Sequence, residues 1–218
     1  VKLFADDLKL YSVYNATDNS TDIQQSIDKL VKWSKLWQLQ INLNKCHVLP
    51  IRSKYNSNTF SRYTLNGSPL SNLTLASDLG VFVDSNLTFK QHICTVISKA
   101  QQRVGVFFRG FASRSVDIVR KTFITYIRPI LEYNTNVWNP TQKYLIDQLE
   151  NVQRRFTKRV TSLKNFSYLE RLGFLGLEPL ELRRLRCDLI QYYKIFNNLT
   201  SLNLADYFTV HQPSLSSR

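Results

Sequence analysis

The sequence predicts an α+β protein whose first part is built mainly from short strands and whose second part is helical. Over residues 1–87, short apolar stretches alternate with turn signals such as Asn66-Gly67, which is typical of hairpins. From residue 88 onward, apolar residues recur at the three- and four-residue spacing of amphipathic helices. The net charge also changes there, from +2 over residues 1–87 to +11 over residues 88–218. We therefore expect two domains, 1–87 and 88–218.

The order of elements predicted for the first domain is β-β-α-β-β-β. Residues 1–5 and 8–14 predict two strands, with the pair Asp6-Asp7 at the tip of the hairpin between them. The helix covers "TDIQQSIDKLVKWSKLW" at residues 21–37, and its Thr21 and Gln24 match a capping box. Further on, "RSKYNSNTFS" predicts a polar loop, and "SDLGVFVD" predicts a single strand before the chain turns into the helical domain.

The second domain predicts four amphipathic segments, at residues 89–108, 115–133, 139–160 and 179–196. Within the second segment, Pro129 predicts a kink or the end of a turn, because proline has no backbone N–H to donate. The apolar faces predicted for the third and fourth segments are Leu145, Leu149, Val152, Phe156 and Val160, and Leu182, Leu185, Leu189 and Phe196.

The composition excludes several classes of protein. No run of about eighteen apolar residues occurs, so we expect no membrane span. The three cysteines and three histidines are scattered, which supports neither a disulfide framework nor a zinc ribbon and favours a reducing intracellular compartment. The chain contains no Met at all, which predicts a piece of a longer protein.

The string "FADD" at residues 4–7 has two interpretations. Aspartate is a good turn residue, so the pair is compatible with an ordinary hairpin tip. Two adjacent carboxylates also repel each other, and a hard cation such as Mg²⁺ relieves that repulsion. The motif alone does not separate a turn from a metal site.

Two runs of basic residues lie within the predicted helices of the second domain. The first is Arg154, Arg155, Lys158 and Arg159, and the second is Arg183, Arg184 and Arg186. Such runs are most often a solvated helix face. Two of them within a domain of net charge +11 also predict a surface for the phosphate backbone of a nucleic acid.

Taken in order, these segments resemble the C-terminal half of a reverse transcriptase from jockey-like, non-LTR (LINE-type) retrotransposons. "FADDLKLY" resembles the catalytic aspartate hairpin of the polymerase palm, and "LQINLNKCHVL" resembles the next palm motif. "LGVFVDSNLTFKQHI" resembles the primer grip and the turn into the thumb. "YIRPILEYNTNVWNP", "LENVQRRFTKRV" and "YLERLGFLGLEPLELRRLRCDLIQYYKIF" resemble thumb helices of these elements.

The resemblance implies a partial palm at 1–87 and a basic helical thumb with a C-terminal extension at 88–218. Asp6 and Asp7 would then hold Mg²⁺ for nucleotidyl transfer, with Lys45 near the leaving pyrophosphate. The primer grip would be Leu79, Gly80 and Val81, where the glycine lets the backbone approach closely. The implied partners are an RNA template, a DNA primer and deoxynucleotides, met in the cytoplasm and nucleus, with no membrane.

The same resemblance implies that this chain is inactive by itself, because the polymerase fingers and the first catalytic aspartate have no counterpart here. Lys45 also fits a solvent-exposed lysine after a turn, and Gly80 also fits a bulge or bend that binds nothing. Trp33, Trp37 and Trp138 are predicted to be core residues. Two alternatives stay open: a nucleic-acid-binding helical module without chemistry, and a helical interaction domain whose basic faces are merely solvated.

Overall fold

The computed structural model describes residues 1–13, 21–51, 63–111 and 115–209. It divides into two compact units, Val1–Thr88 and Phe89–Arg218, one residue away from the predicted boundary. The polar loop predicted at 52–61 lies outside the described residues, as does the Thr21 side chain of the predicted capping box. The described parts combine helices with small sheets, as the α+β class requires.

The first hairpin forms where the sequence predicts it, but its tip lies one residue earlier. Strands β1 (Lys2–Phe4) and β2 (Asp7–Lys9) are antiparallel, and Phe4 pairs with Asp7. The two turn residues are therefore Ala5 and Asp6, and the prediction that both aspartates occupy the tip is wrong. Asp7 is instead the first residue of β2.

Helix α1 (Thr21–Leu36) forms the apolar centre of the first unit by packing on the hairpin of β4 (Thr64–Leu65) and β5 (Ser68–Pro69). Ile27 and Val31 of α1 are buried together with Leu65. The Gln24 side chain bonds both backbone groups of Thr64, which fixes the helix against the strand. This hairpin confirms the turn predicted at Asn66-Gly67, where φ is positive at both residues, as a type I′ turn requires.

The remaining strands of the first unit are short. A 3₁₀ turn at Leu43–Lys45 leads to β3 (His47–Val48), which pairs in parallel with β6 (Ser71–Asn72). Strands β7 (Leu75–Asp78) and β8 (Val81–Asp84) form a second hairpin, so the single strand predicted at 77–84 is wrong. In the described residues the eight strands make four separate pairs.

The second unit consists of helices joined by short turns. The α-helices are α2 (Lys90–Gly110), α3 (Val116–Thr122), α4 (Arg128–Glu132), α5 (Thr135–Trp138), α6 (Lys143–Lys158), α7 (Tyr168–Leu175) and α8 (Leu180–Phe196). A π-helical turn at Phe123–Ile127 joins α3 to α4, and 3₁₀ turns occupy Thr161–Leu163 and Leu204–Asp206. None of the helices within the described ranges has the length and apolar character needed to cross a membrane.

The π-helical turn has a cause in the spacing of the core residues. Val119, Phe123, Ile127 and Leu131 are fully buried and lie four residues apart. In an α-helix each four-residue step overshoots a full turn by about 40°, so three steps would carry Leu131 about 120° away from Val119. A π-helical turn takes up one extra residue and returns the series to one face. Pro129 follows directly, in the first turn of α4.

Phe156 of α6 lies at the centre of the second unit. It is fully buried, and the rings of Phe107, Phe108 and Phe123 surround it with centroid distances of 5.9, 5.3 and 5.1 Å. The whole apolar face predicted for the third helical segment is confirmed as buried. Contacts of this kind between α2, α6 and the π turn hold the unit together.

Two predictions about apolar residues are wrong. The face predicted to be buried on α8 is instead exposed, and the helix packs through Leu180, Arg184 and Ile195. Of the three tryptophans, only Trp138 is a core residue, and it donates its indole N–H to the Tyr133 carbonyl at 2.8 Å. Trp33 and Trp37 are exposed on α1.

Candidate nucleic-acid interface

Helix α6 separates an apolar face from a basic one. Its buried face carries the leucines, valine and phenylalanine described above, and its last two turns and C-cap expose Arg154, Arg155, Lys158 and Arg159. Cations at this end of a helix interact favourably with the partial negative charge of the free carbonyl groups. Because the apolar face of α6 is packed in the core, the four cations are held on its solvent-exposed side.

Two of these arginines lie over aromatic rings. The Arg154 guanidinium carbon lies 5.0 Å from the centroid of Tyr168, and that of Arg159 lies 5.1 Å from the centroid of Phe108. A ring below a guanidinium limits its rotation while leaving its N–H groups open to solvent. The two side chains are thus oriented without a carboxylate.

A cavity of about 430 Å³ continues this basic surface beyond the C-terminus of α6. Its lining consists of Phe108, Lys158, Arg159, Thr161 and Lys164. Three cations, a hydroxyl and an aromatic ring face the same space, and the described lining contains no carboxylate. This combination suits a phosphate group flanked by a planar ring.

We define the α6 basic surface as the following five exposed residues: Arg154, Arg155, Lys158, Arg159 and Lys164. None of them takes part in the ion pairs found among the described residues. Their positive charge is consequently not neutralised by the protein at short range.

The arginines of the second basic run form hydrogen bonds with other residues of the same chain. Arg183 bonds both carboxylate oxygens of Glu132, with a distance of 3.0 Å from its Nη2 atom to Oε2. Arg186 bonds both oxygens of Glu178 at 2.8 and 2.9 Å. The hydrogen bond from Arg186 also holds the pKa of Glu178 below its usual range.

Arg184 differs from the sequence prediction, because it is buried and not on the polar face of α8. Its Nε donates to the Asn139 Oδ1 atom at 3.0 Å, and Asn139 donates in turn to Asp188 at 2.6 Å. Burial lowers the pKa of Arg184, and the negative charge of Glu150 opposes this shift. Arg184 is therefore a structural cation between α5 and α8, and phosphate cannot reach it in this conformation.

Glu150, on the buried side of α6, connects three helices. One carboxylate oxygen accepts the Tyr168 hydroxyl of α7, and the other accepts the backbone N–H of Leu180 at 2.9 Å and of Glu181 at 3.3 Å. A carboxylate from α6 thus caps the first turn of α8, whose N-cap residue is Pro179 and provides no side-chain cap. Burial, together with the hydrogen bond to Glu150, raises the pKa of Tyr168.

The predicted catalytic residues lie in the first unit and are exposed. Asp6 is in the hairpin turn, Asp7 begins β2, and Lys45 ends the 3₁₀ turn that Asn42 caps. Among the described residues, no group of three Asp, Glu, His or Cys side chains could hold a metal ion. The two aspartates alone therefore do not provide the ligand set that a Mg²⁺ site needs.

The predicted primer-grip residues lie at the tip of the β7–β8 hairpin. Leu79 and Gly80 form its two-residue turn, with φ of 46° and 82°, and Val81 is buried at the start of β8. Asp84 ends this strand and accepts hydrogen bonds from the backbone of Asn86 and from Thr88. Gly80 is accordingly a turn residue, which agrees with a bend and not with a bulge at this position.

Three residues of the interface were not predicted as site residues. Phe108 is predicted to lie on the apolar face of α2, but it is only half-buried and its ring lies below Arg159. Tyr168 and Lys164 come after α6 in the chain, and their separation in sequence does not predict that they lie beside its basic residues. The available signal was the continuation of positive charge past Arg159 to Lys164.

Comparison with known proteins points to one class, the RNA-directed DNA polymerases of mobile elements. No family model matches the chain, and no solved structure matches it. Over 165 residues the chain is 24% identical to the RNA-directed DNA polymerase from mobile element jockey of Drosophila funebris. This match covers 74% of the chain and 18% of the fly protein.

Two further relatives are similar in part. The probable RNA-directed DNA polymerase from transposon BS of Drosophila melanogaster is 25% identical over 167 residues, covering 72% of the chain and 18% of that protein. An uncharacterised protein of Caenorhabditis elegans is 30% identical over 128 residues, covering 57% of the chain and 63% of that protein. The chain thus spans less than two thirds of each of these relatives, and the partial matches support a relationship to reverse transcriptases of non-LTR retrotransposons.

Proposed function

We propose that this chain is the palm and thumb portion of a retrotransposon RNA-directed DNA polymerase, and that its helical unit binds nucleic acid through the α6 basic surface. The observation that carries the proposal is the set of exposed, unneutralised cations next to a cavity with an aromatic wall. The matches to fly polymerases support the choice of nucleic acid as the polyanion.

The chemistry of the α6 basic surface favours backbone recognition. Lysine and arginine contacts to phosphates release condensed counterions and carry no sequence information by themselves. The ring of Phe108 adds a stacking surface, which accepts any base. We therefore assign to this surface the binding of primer–template duplex with little sequence preference.

For the first unit, we propose that Asp6 and Asp7 contribute to a Mg²⁺ site that becomes complete only with ligands from elsewhere in a longer protein. Mg²⁺ would supply the charge that stabilises the attacking and leaving oxygens in phosphoryl transfer. Lys45 would neutralise charge on the leaving pyrophosphate. Leu79, Gly80 and Val81 would support the primer end, with the tight turn at Gly80 exposing the backbone.

The isolated chain is expected to show no primer extension on an RNA template in the presence of Mg²⁺ and deoxynucleotides. Two exposed carboxylates, which have no third ligand among the described residues, cannot fix two metal ions in line. The measurement is gel analysis of a labelled primer, with an intact reverse transcriptase as the positive control. Template-dependent extension by this chain, lost in Asp6→Asn, would show that the ligand set is complete after all.

Replacing Arg154, Arg155, Lys158 and Arg159 together by glutamine is expected to weaken duplex binding by the full chain and to flatten its salt dependence. The slope should fall by up to about four counterions if all four side chains contact phosphate. Helicity should persist, because glutamine is nearly as good a helix former as arginine. Fluorescence anisotropy with a labelled duplex at several salt concentrations measures both quantities.

A matched control variant tests whether the position of the four charges matters, and not only the net charge of the chain. Lys29, Lys32, Lys35 and Lys194 are exposed on other helices, and none of them is in an ion pair among the described residues. Changing these four to glutamine removes the same charge and should leave the salt slope nearly unchanged. Equal flattening in both variants, or in neither, would contradict a binding role for the α6 basic surface and favour a solvated face.

A further inference from the structure

The outward face of α8 carries a row of apolar side chains that the described residues leave about half exposed, with the ring of Phe208 packed against Tyr192. We define the α8 stripe as Leu182, Leu185, Leu189, Tyr192 and Phe196, each of which is between 43% and 57% exposed. The row extends for about 20 Å along the helix, given the α-helical rise per residue. A continuous apolar row of this kind on a protein surface marks a contact with another macromolecule.

The spacing of the α8 stripe specifies the kind of contact. Its members follow one another at intervals of three, four, three and four residues, which is the a and d pattern of a heptad repeat. A period of 3.5 residues keeps a stripe facing a second helix along its whole length. The occupant that fits this face is therefore an α-helix with the same period.

The side of α8 opposite the α8 stripe is packed against the rest of the unit. Leu180, Arg184 and Ile195 are buried against the rest of the unit, and Glu150 caps the first turn. Two heptads are too few for an isolated coiled coil in water, where helix nucleation is costly. Helix α8 is already folded as part of the unit, so nucleation adds no further cost, and a short contact with a second helix is sufficient for association.

The charges beside the stripe identify the second helix as another copy of α8 in parallel orientation. Glu181 occupies position g and Arg186 occupies position e of the following heptad, five residues later. In a parallel pair, position g faces position e of the partner helix, so Glu181 would lie opposite Arg186 of the second copy, twice by symmetry. Both side chains are more than half exposed, although each also contacts a residue of its own chain.

An antiparallel pair lacks this complementarity. In that orientation position g faces position g of the partner, and the g positions of α8 are Glu181, Asp188 and Ile195, none of which is a cation. We propose that the chain forms a parallel homodimer through the α8 stripe. This inference rests on α8 alone and stands whether or not the α6 basic surface binds nucleic acid.

The first test is the mass of the full chain in solution. Light scattering after gel filtration should give twice the mass of one chain at about 100 µM, and Leu189→Glu should give a monomer with unchanged helical circular dichroism, because a charge in the seam has no partner. Leu169→Glu, the same change at an exposed position of α7, should still give a dimer. A monomeric parent chain, or a Leu189→Glu variant that still dimerises, would overturn the proposal.

The second test is the orientation of the two helices. Glu181→Arg and Arg186→Glu should each weaken dimerisation about tenfold, and the two changes together should restore it, because the exchanged charges again face each other. In a chain with Cys46, Cys94 and Cys187 replaced by serine, Leu182→Cys should form an interchain disulfide under mild oxidation. A dimer that fails to cross-link at residue 182 and gains nothing from the charge exchange would refute the parallel arrangement.

Discussion

Replacing Glu150 by alanine is expected to lower the free energy of unfolding of the helical unit by about 4 kcal/mol, the magnitude typical of removing one member of a buried, hydrogen-bonded charge cluster. The change leaves the Tyr168 hydroxyl and two backbone N–H groups of α8 without their acceptor. It also removes a carboxylate that offsets the buried charge of Arg184. Several penalties therefore fall on one substitution.

Urea unfolding measures this effect, with Trp138 as the reporter. Trp33 and Trp37 are exposed, so replacing both by phenylalanine leaves one buried tryptophan in the helical unit. Asp147→Ala, an exposed acidic position on the same helix, should change stability by less than about 0.5 kcal/mol. If the loss for Glu150→Ala were equally small, Glu150 would not be the cap of α8.

Replacing Phe156 by alanine is expected to lower the free energy of unfolding of the helical unit by about 4 kcal/mol, by removing a large core side chain and leaving a cavity. The rings of Phe107, Phe108 and Phe123 all lose a neighbour. The same tryptophan reporter and urea titration measure the change.

Phe174 provides the comparison for Phe156. It is exposed on α7 and contacts chiefly the ring of Phe166, with 4.9 Å between centroids. Phe174→Ala should therefore lower the free energy of unfolding by less than about 1 kcal/mol. Comparable losses for the two variants would mean that Phe156 is not the centre of the core.

Helix α6 shows what the sequence could predict. Its apolar residues keep helical spacing over about three turns, and its cations occupy the other side, so both the buried face and the exposed charges followed from periodicity. The Asn66-Gly67 hairpin was predictable for a different reason, since this dipeptide accepts positive φ at both turn positions.

The errors have physical causes as well. Helix α8 has apolar residues on more than one side, and periodicity alone cannot say that Leu180 and Ile195 face the core while Leu189 faces solvent. The β7–β8 hairpin was missed because Leu79 adopts a positive φ that leucine rarely takes. Arg183 and Arg186 form hydrogen bonds with Glu132 and Glu178, and only the fold brings these carboxylates near the arginines.

The π turn at Phe123–Ile127 makes the number of residues in this segment matter as much as their chemistry. Such a turn is equivalent to one inserted residue in an α-helix, so the segment carries a built-in length change that the surrounding core absorbs. Losing one exposed residue here would give a regular α-helix in which Leu131 still faces within about 20° of Val119, because eleven residues make almost three full turns. This helix could therefore lose one residue within the π turn without rearranging its core, whereas losing one residue from a regular α-helical part would rotate one end by about 100°.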